Sequence, residues 1–197
     1  MELIGLEKVR EGKYLKNYEL TYLNKEGREK VYEIVSHKDL RSPEDLGMKV
    51  SGISIVAYQG DEMLLLKEFR MGINRYVYGL CAGMLEKDES VEDCVRRELY
   101  EETGLALKRI DTILPPAYAA VSISDIANQI VYAEVEGEIS GGHASANEDI
   151  RARFYSLPEL EQLLKNGVFS SRCQVTVFQF LREHGINPFA DFEALRD

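Results

Sequence analysis

The feature that most constrains this chain is a helical stretch at residues 88–103, whose inward face changes from apolar to acidic without changing direction. Ser90 with Asp93 makes an N-cap pair, and Gly104 suits a left-handed C-cap. On a helix of about 100° per residue, Val91, Val95, Glu98 and Glu102 fall on one stripe, with Cys94 and Glu101 beside it. Glu92, Asp93 and Arg96 already occupy the exposed arc. Acids on the inward stripe repel one another and lose hydration. Those close to the helix C-terminus also meet the unfavourable end of its dipole. Arg97 stands four residues before Glu101 and can pair with it. One arginine cannot balance Glu89, Glu98, Glu101 and Glu102, whereas hard divalent cations with oxygen ligands can, magnesium being the usual one. A place where several local stability rules are broken together is where function is expected.

The rest of the chain reads as a strand-rich body around that helix. Tyr18, Leu20 and Tyr22 alternate with polar residues, residues 24–27 are a turn signal, and 31–35 is the return strand of an antiparallel hairpin. The polar segment 36–48 reads as a loop. This divides the chain into an N-terminal β-hairpin element, 1–45, expected to serve dimerisation, and a main domain, 46–197. Short apolar runs at 53–58 and 63–69 suit buried strands, and further strands are expected at 76–81, 113–118, 129–135 and 150–155. Two helices should close the chain, one capped at Ser156 with Pro158 in its first turn, the other capped at Ser171 and stopped by Gly185. Strands and helices mix without regular alternation, so the fold class expected is α+β, an α/β/α sandwich of mixed β-sheets with a small N-terminal antiparallel β element.

Charge and composition exclude several function classes. The formal net charge is -10, and a broad negative field disfavours an extended nucleic-acid interface. No apolar run approaches the roughly 20 residues of a membrane helix, and the first residues hold no apolar core of signal-peptide length. Cys81, Cys94 and Cys173 have no zinc-ligand spacing and read as small apolar side chains. The expectation is a cytoplasmic protein with a small-molecule partner, binding neither nucleic acid nor membrane.

Residues 83–105 follow the spacing G-x5-E-x7-R-E-U-x-E-E-x-G-U, with U a bulky aliphatic residue. This spacing resembles the Nudix box at each of its defined positions. The resemblance implies a loop-helix-loop on an α/β/α sandwich that holds divalent cations against a substrate diphosphate. It makes Glu98 and Glu102 metal ligands, Glu101 a ligand directly or through water, and the carbonyl of Ala82 a further ligand. Arg97 would orient the acids, and Glu89 would sit at the edge of the cluster. Magnesium is the implied cofactor, with manganese able to substitute.

More of the chain is similar to the ADP-ribose and nucleotide-sugar pyrophosphatase branch. Glu68-Phe69-Arg70 resembles a Q-[FY]-R element whose arginine contacts substrate phosphate. Ser124-Asp125 resembles a downstream pair of that branch, and Tyr18 is a candidate for stacking on a base across a homodimer. Glu148 is the candidate catalytic base. The sequence departs from the branch at Gly79-Leu80-Cys81-Ala82-Gly83, which has no leading glutamate, and at Val121, where the ADP-ribose enzymes tend to carry proline. The resemblance implies hydrolysis of ADP-ribose, or of a related nucleoside diphosphate sugar, to AMP and a sugar phosphate. Other nucleoside diphosphate derivatives, such as NADH or dinucleoside polyphosphates, are alternatives, as is a sensor domain that binds ADP-ribose without cutting it.

Overall fold

The computed structural model describes residues 1–47, 49–140 and 149–190. Among them, eleven strands and three helices follow in the order β1 (Glu2–Glu11), β2 (Lys16–Leu23), β3 (Glu29–Ser36), β4 (Val50–Gln59), β5 (Glu62–Arg70), β6 (Arg75–Gly79), β7 (Cys81–Met84), α1 (Val91–Thr103), β8 (Ala106–Ile113), β9 (Ala117–Tyr118), β10 (Ala127–Glu136), β11 (Ile150–Tyr155), α2 (Leu157–Asn166) and α3 (Ser171–Glu183). They form two compact units. One consists of Met1–Gly52 with Leu114–Gln129, the other of Ile53–Ile113 with the described residues from Ile130 onward. The first unit is therefore not the continuous segment 1–45, because residues 114–129 return to it, a long-range choice that no local pattern announces.

In the first unit, the expected hairpin is β2 paired with β3, with Tyr18 opposite Ile34 and Leu20 opposite Tyr32. Its turn is held by the Asn24 side chain, which accepts from the backbone N–H groups of Glu26 and Arg28. Gly27 takes the left-handed conformation there, at φ 73°. The hairpin is not alone. β1 adds antiparallel to β2 and makes a three-stranded sheet. Its sequence is dominated by charged residues because it is an edge strand, held mainly by main-chain bonds and largely exposed. Tyr18, Leu20, Ile34 and Leu40 form the core of this unit.

In the second unit, the apolar runs of β4 and β5 are continuous because both faces of their sheet are covered. Side chains alternate across the sheet. Ile53, Ile55, Ala57, Leu64 and Leu66 pack with Cys94, Val95 and Leu99 of α1. Val56, Met63 and Leu65 pack on the other face with Leu160 and Leu164 of α2 and Val177 and Leu181 of α3. The result is the expected α/β/α sandwich. Its mixed sheet runs β11-β5-β4-β10-β8, with β6 beside β5 and β7 beside β4.

Local departures have local causes. The strand expected at 76–81 is two strands, β6 and β7, pairing with different partners on either side of Leu80. The strand expected at 113–118 is broken at Pro115 and Pro116, which have no N–H for a ladder. Its pairing is carried instead by β8, whose charged residues hide an edge strand from an apolar pattern. Lys108 and Arg109 of β8 meet Glu134 of β10 at 2.7 and 3.2 Å. α2 starts at the expected cap, with Glu159 accepting from the backbone N–H of Ser156 at 3.0 Å. α3 is capped one residue earlier than expected, at Ser170, whose hydroxyl accepts from the Cys173 N–H.

Candidate active site

The site is built on α1 and the strand before it. Ser90 caps the helix by accepting from the Asp93 N–H at 3.1 Å. Gly104 ends it in the left-handed conformation, at φ 76°, with its N–H on the Tyr100 carbonyl. The buried stripe is Cys94, Val95, Glu98, Leu99 and Thr103. Leu99 belongs to it although the sequence reading omits it, and Val91 lies at its margin. Glu98 is only 8% exposed, so an acid does point into the packed face. Glu102 is half-buried, and Glu101 is exposed at the rim.

Gly83 lies against Glu98, and a Cβ on that glycine would stand 1.7 Å from Oε1 and 2.4 Å from Oε2 of the carboxylate. Only glycine leaves room for the acid. One residue earlier, the Ala82 N–H donates to Glu102 Oε2 at 3.2 Å. The start of β7 and the end of α1 are thus stitched together at the two acids.

Arg97 organises the rest. Its Nε and Nη2 donate to the two oxygens of Glu89 at 2.8 and 2.9 Å, and its Nη1 reaches Glu98 at 2.6 Å and Glu101 at 3.4 Å. The hydrogen bonds from Arg97 hold the Glu89 carboxyl down to about 2, and the Glu86 N–H adds to the effect. Glu98 moves the other way, because burial outweighs the bond and charge of Arg97. Burial pushes Glu102 up to about 7, helped by the charges of Glu98 and Glu68 and opposed by bonds from Cys81 and Ala82. Two carboxyls that burial drives toward protonation are a charge deficit that a cation would relieve.

The donor set is all oxygen and fits a hard divalent cation. Among the described residues, no three acidic, histidine or cysteine side chains close into a ready metal cage, because Arg97 holds Glu98 and Glu101 while Ala82 holds Glu102. A cation entering here must draw those oxygens from their present partners.

The other expected site residues are dispersed. Arg70 ends β5, is exposed and pairs with Glu68 at 2.8 Å. With Ala82 it lines a cavity of about 390 Å³ in the second unit. Tyr18 is fully buried, donates to the Lys38 carbonyl at 3.1 Å and accepts from the Leu40 N–H at 2.8 Å. Its ring belongs to the core of the first unit and presents no face for stacking. Ser124 and Asp125 are buried in the same unit and line a cavity of about 270 Å³ there. Asp125 Oδ2 takes Lys38 at 2.9 Å, and its Oδ1 has no hydrogen-bond partner among the described residues. Glu148 lies outside the described residues.

Two residues at the site escaped the sequence reading as site residues. Cys81 is fully buried against Glu102, and burial followed by the charge of that acid holds its thiol protonated. No spacing signals this contact. Arg172 lines the same cavity as Arg70 and Ala82. A cation in the first turn of a helix, where the dipole disfavours it, is the signal that could have found it.

A family model described as NUDIX domain matches residues 48–175, more than half of the chain. The chain is similar to the ADP-ribose pyrophosphatase of Escherichia coli (strain K12), with 32% identity over 132 residues, and the match spans 63% of each chain's length. It is similar to the ADP-sugar pyrophosphatase of Mus musculus, with 25% identity over 91% of this chain and 84% of the relative. Among solved structures, one described as an ADP compounds hydrolase shares the fold, with a TM-score of 0.72 at 22% identity over 92% of both chains. The box residues meet where β7 packs against α1, and the chain belongs to the Nudix family.

Proposed function

We propose that the protein hydrolyses the pyrophosphate bond of ADP-ribose or a related nucleoside diphosphate sugar, with magnesium or manganese, releasing AMP (or the corresponding nucleoside monophosphate) and a sugar phosphate. The observation that carries this reading is the buried Glu98 against Gly83, tied through Arg97 to Glu89 and Glu101 and standing beside Glu102. The names of the pyrophosphatase relatives support the choice of substrate.

Glu98, Glu101 and Glu102 with the Ala82 carbonyl are the oxygens that would hold the cation. When bound, the cation supplies Lewis acidity and neutralises charge on the diphosphate oxygens. Arg97 keeps the carboxylates oriented and offsets part of their mutual repulsion. Arg70 offers a guanidinium to a substrate phosphate oxygen. Water attacks one phosphorus in line, forming a new P–O bond as the bridging P–O bond breaks. Its proton passes to a carboxylate, a role we assign to Glu148. We assign Ser124 and Asp125 to substrate binding, and a homodimer to the N-terminal element. The location we assign is cytoplasmic.

The test is a chromatographic screen for release of the nucleoside monophosphate from ADP-ribose, ADP-glucose, UDP-glucose, NADH, diadenosine polyphosphates and nucleoside triphosphates, with magnesium and with chelator. An ADP-sugar should give the highest kcat/KM, and chelation should abolish turnover. Glu98→Gln and Glu102→Gln should each lower kcat by at least about a hundredfold, since cation ligands act mainly in the transition state. Normal turnover by both variants, or hydrolysis unaffected by chelation, would overturn the reading.

A further inference from the structure

The cavity of about 390 Å³ that reaches Ala82 is lined by two arginines, Arg70 and Arg172. Their charges stand differently. Arg70 is ion-paired with Glu68 at 2.8 Å. Arg172 is half-buried, and its bond is to a neutral group, the Ser54 hydroxyl, which accepts from Nη1 at 2.6 Å. Ser54 is itself 1% exposed, on β4. Among the described residues no carboxylate pairs with Arg172, and burial alone acts on its proton affinity, lowering it.

A guanidinium removed from water without an anion is costly. It is also placed in the first turn of α3, where the helix dipole opposes a cation. Both costs are relieved by one thing, an anion entering the cavity. Ser54 uses one of the five N–H donors of the guanidinium and fixes its direction, leaving others for a planar, two-oxygen contact of the kind phosphate provides.

We infer that Arg172 is a substrate-binding residue that takes a phosphate oxygen of the nucleoside diphosphate, with Ser54 as its positioning residue. This rests on the diphosphate-hydrolase reading above for the identity of the ligand, while the anion site itself stands on the cavity and the unpaired guanidinium. Lysine at this position would keep the charge and lose the fork.

The probe is inorganic diphosphate, titrated calorimetrically in chelator into the full chain as wild type, Arg172→Gln, Arg172→Lys and Ser54→Ala. Arg172→Gln should weaken binding by about tenfold to a hundredfold, the loss of a charge-assisted contact. Ser54→Ala should weaken it about threefold through lost orientation, and Arg172→Lys should recover part of the loss. With magnesium, KM for the preferred nucleotide should rise in Arg172→Gln while kcat stays within about threefold, the mark of a binding contact. Arg172→Lys and Ser54→Ala carry the comparison if Arg172→Gln does not fold. Equal affinity for diphosphate in wild type and all three variants, or no binding by wild type, overturns the assignment. Failure of the hydrolase reading looks different: Arg172→Gln loses diphosphate that wild type binds, yet neither protein turns over a nucleoside diphosphate.

Discussion

Replacing Glu102 by glutamine should make the cation-free protein more stable at pH 8 while disabling it as an enzyme. Burial raises the Glu102 carboxyl from 4.5 to about 7. Below pH 4.5 both the folded and unfolded chains carry the proton, and the folded state has its full advantage. Between pH 4.5 and about 7 the folded chain still holds a proton that the unfolded chain has released, so stability falls as pH rises through that window. At about 1.4 kcal/mol per unit, the loss attributable to this one carboxyl is about 3 kcal/mol. In a chain of this size that is about 6–12 °C in Tm. Glutamine has the same shape and cannot ionise. The stability difference between Glu102→Gln and wild type should therefore grow by about 3 kcal/mol between pH 4 and pH 8. Urea or thermal melts in chelator at several pH values measure it. Magnesium added at pH 8 should restore wild-type stability by binding the folded state, and should do so much less in the variant. A difference that does not change with pH, or wild-type stability that climbs from pH 5 to 7 relative to the variant, would refute the argument that burial favours the protonated form of Glu102.

Gly83→Ala should separate activity from stability. The new Cβ meets the far end of the Glu98 side chain, which can move aside, so the fold should lose less than about 1 kcal/mol while kcat falls by tenfold or more, about the effect of misplacing a catalytic group; full activity would place Glu98 outside the chemistry. Arg97→Lys loses the two-pronged contact with Glu89 and should loosen the acid cluster. An NMR titration should show the Glu89 carboxyl climbing from about 2 toward its ordinary range. Tyr18→Phe removes a hydroxyl bonded to Lys38 and Leu40 and should cost about 1–3 kcal/mol, with KM unchanged. A tenfold rise in KM would return the ring to the substrate.

Much of the second unit was legible because its signals are local. The caps of α1, the apolar runs of β4 and β5, and the Glu98–Glu102 stripe lie within short windows, where helix or strand period decides which side chains share a face. The elements that were missed are held by distant partners. β1 and β8 are charged edge strands that gain their hydrogen bonds from β2 and β10, and edge strands need no apolar pattern to exist. Leu99 completes the buried stripe because the sheet covers a wider arc of α1 than the residues first grouped on it.

The sequence by itself determined that Glu98, Glu101 and Glu102 share the end of a capped helix with Arg97, and that such a face must compensate its charge. That follows from helix geometry and the cost of burying like charges. Only the tertiary structure decided which acid is buried and which is exposed, since that depends on how β7 closes over α1 at Gly83. It also decided that Tyr18 belongs to a core, that Cys81 abuts Glu102, and that Arg172 bonds Ser54, 118 residues earlier in the chain. Those contacts join residues far apart in the chain, and the identity of a packing partner is not written in the residues on either side of it.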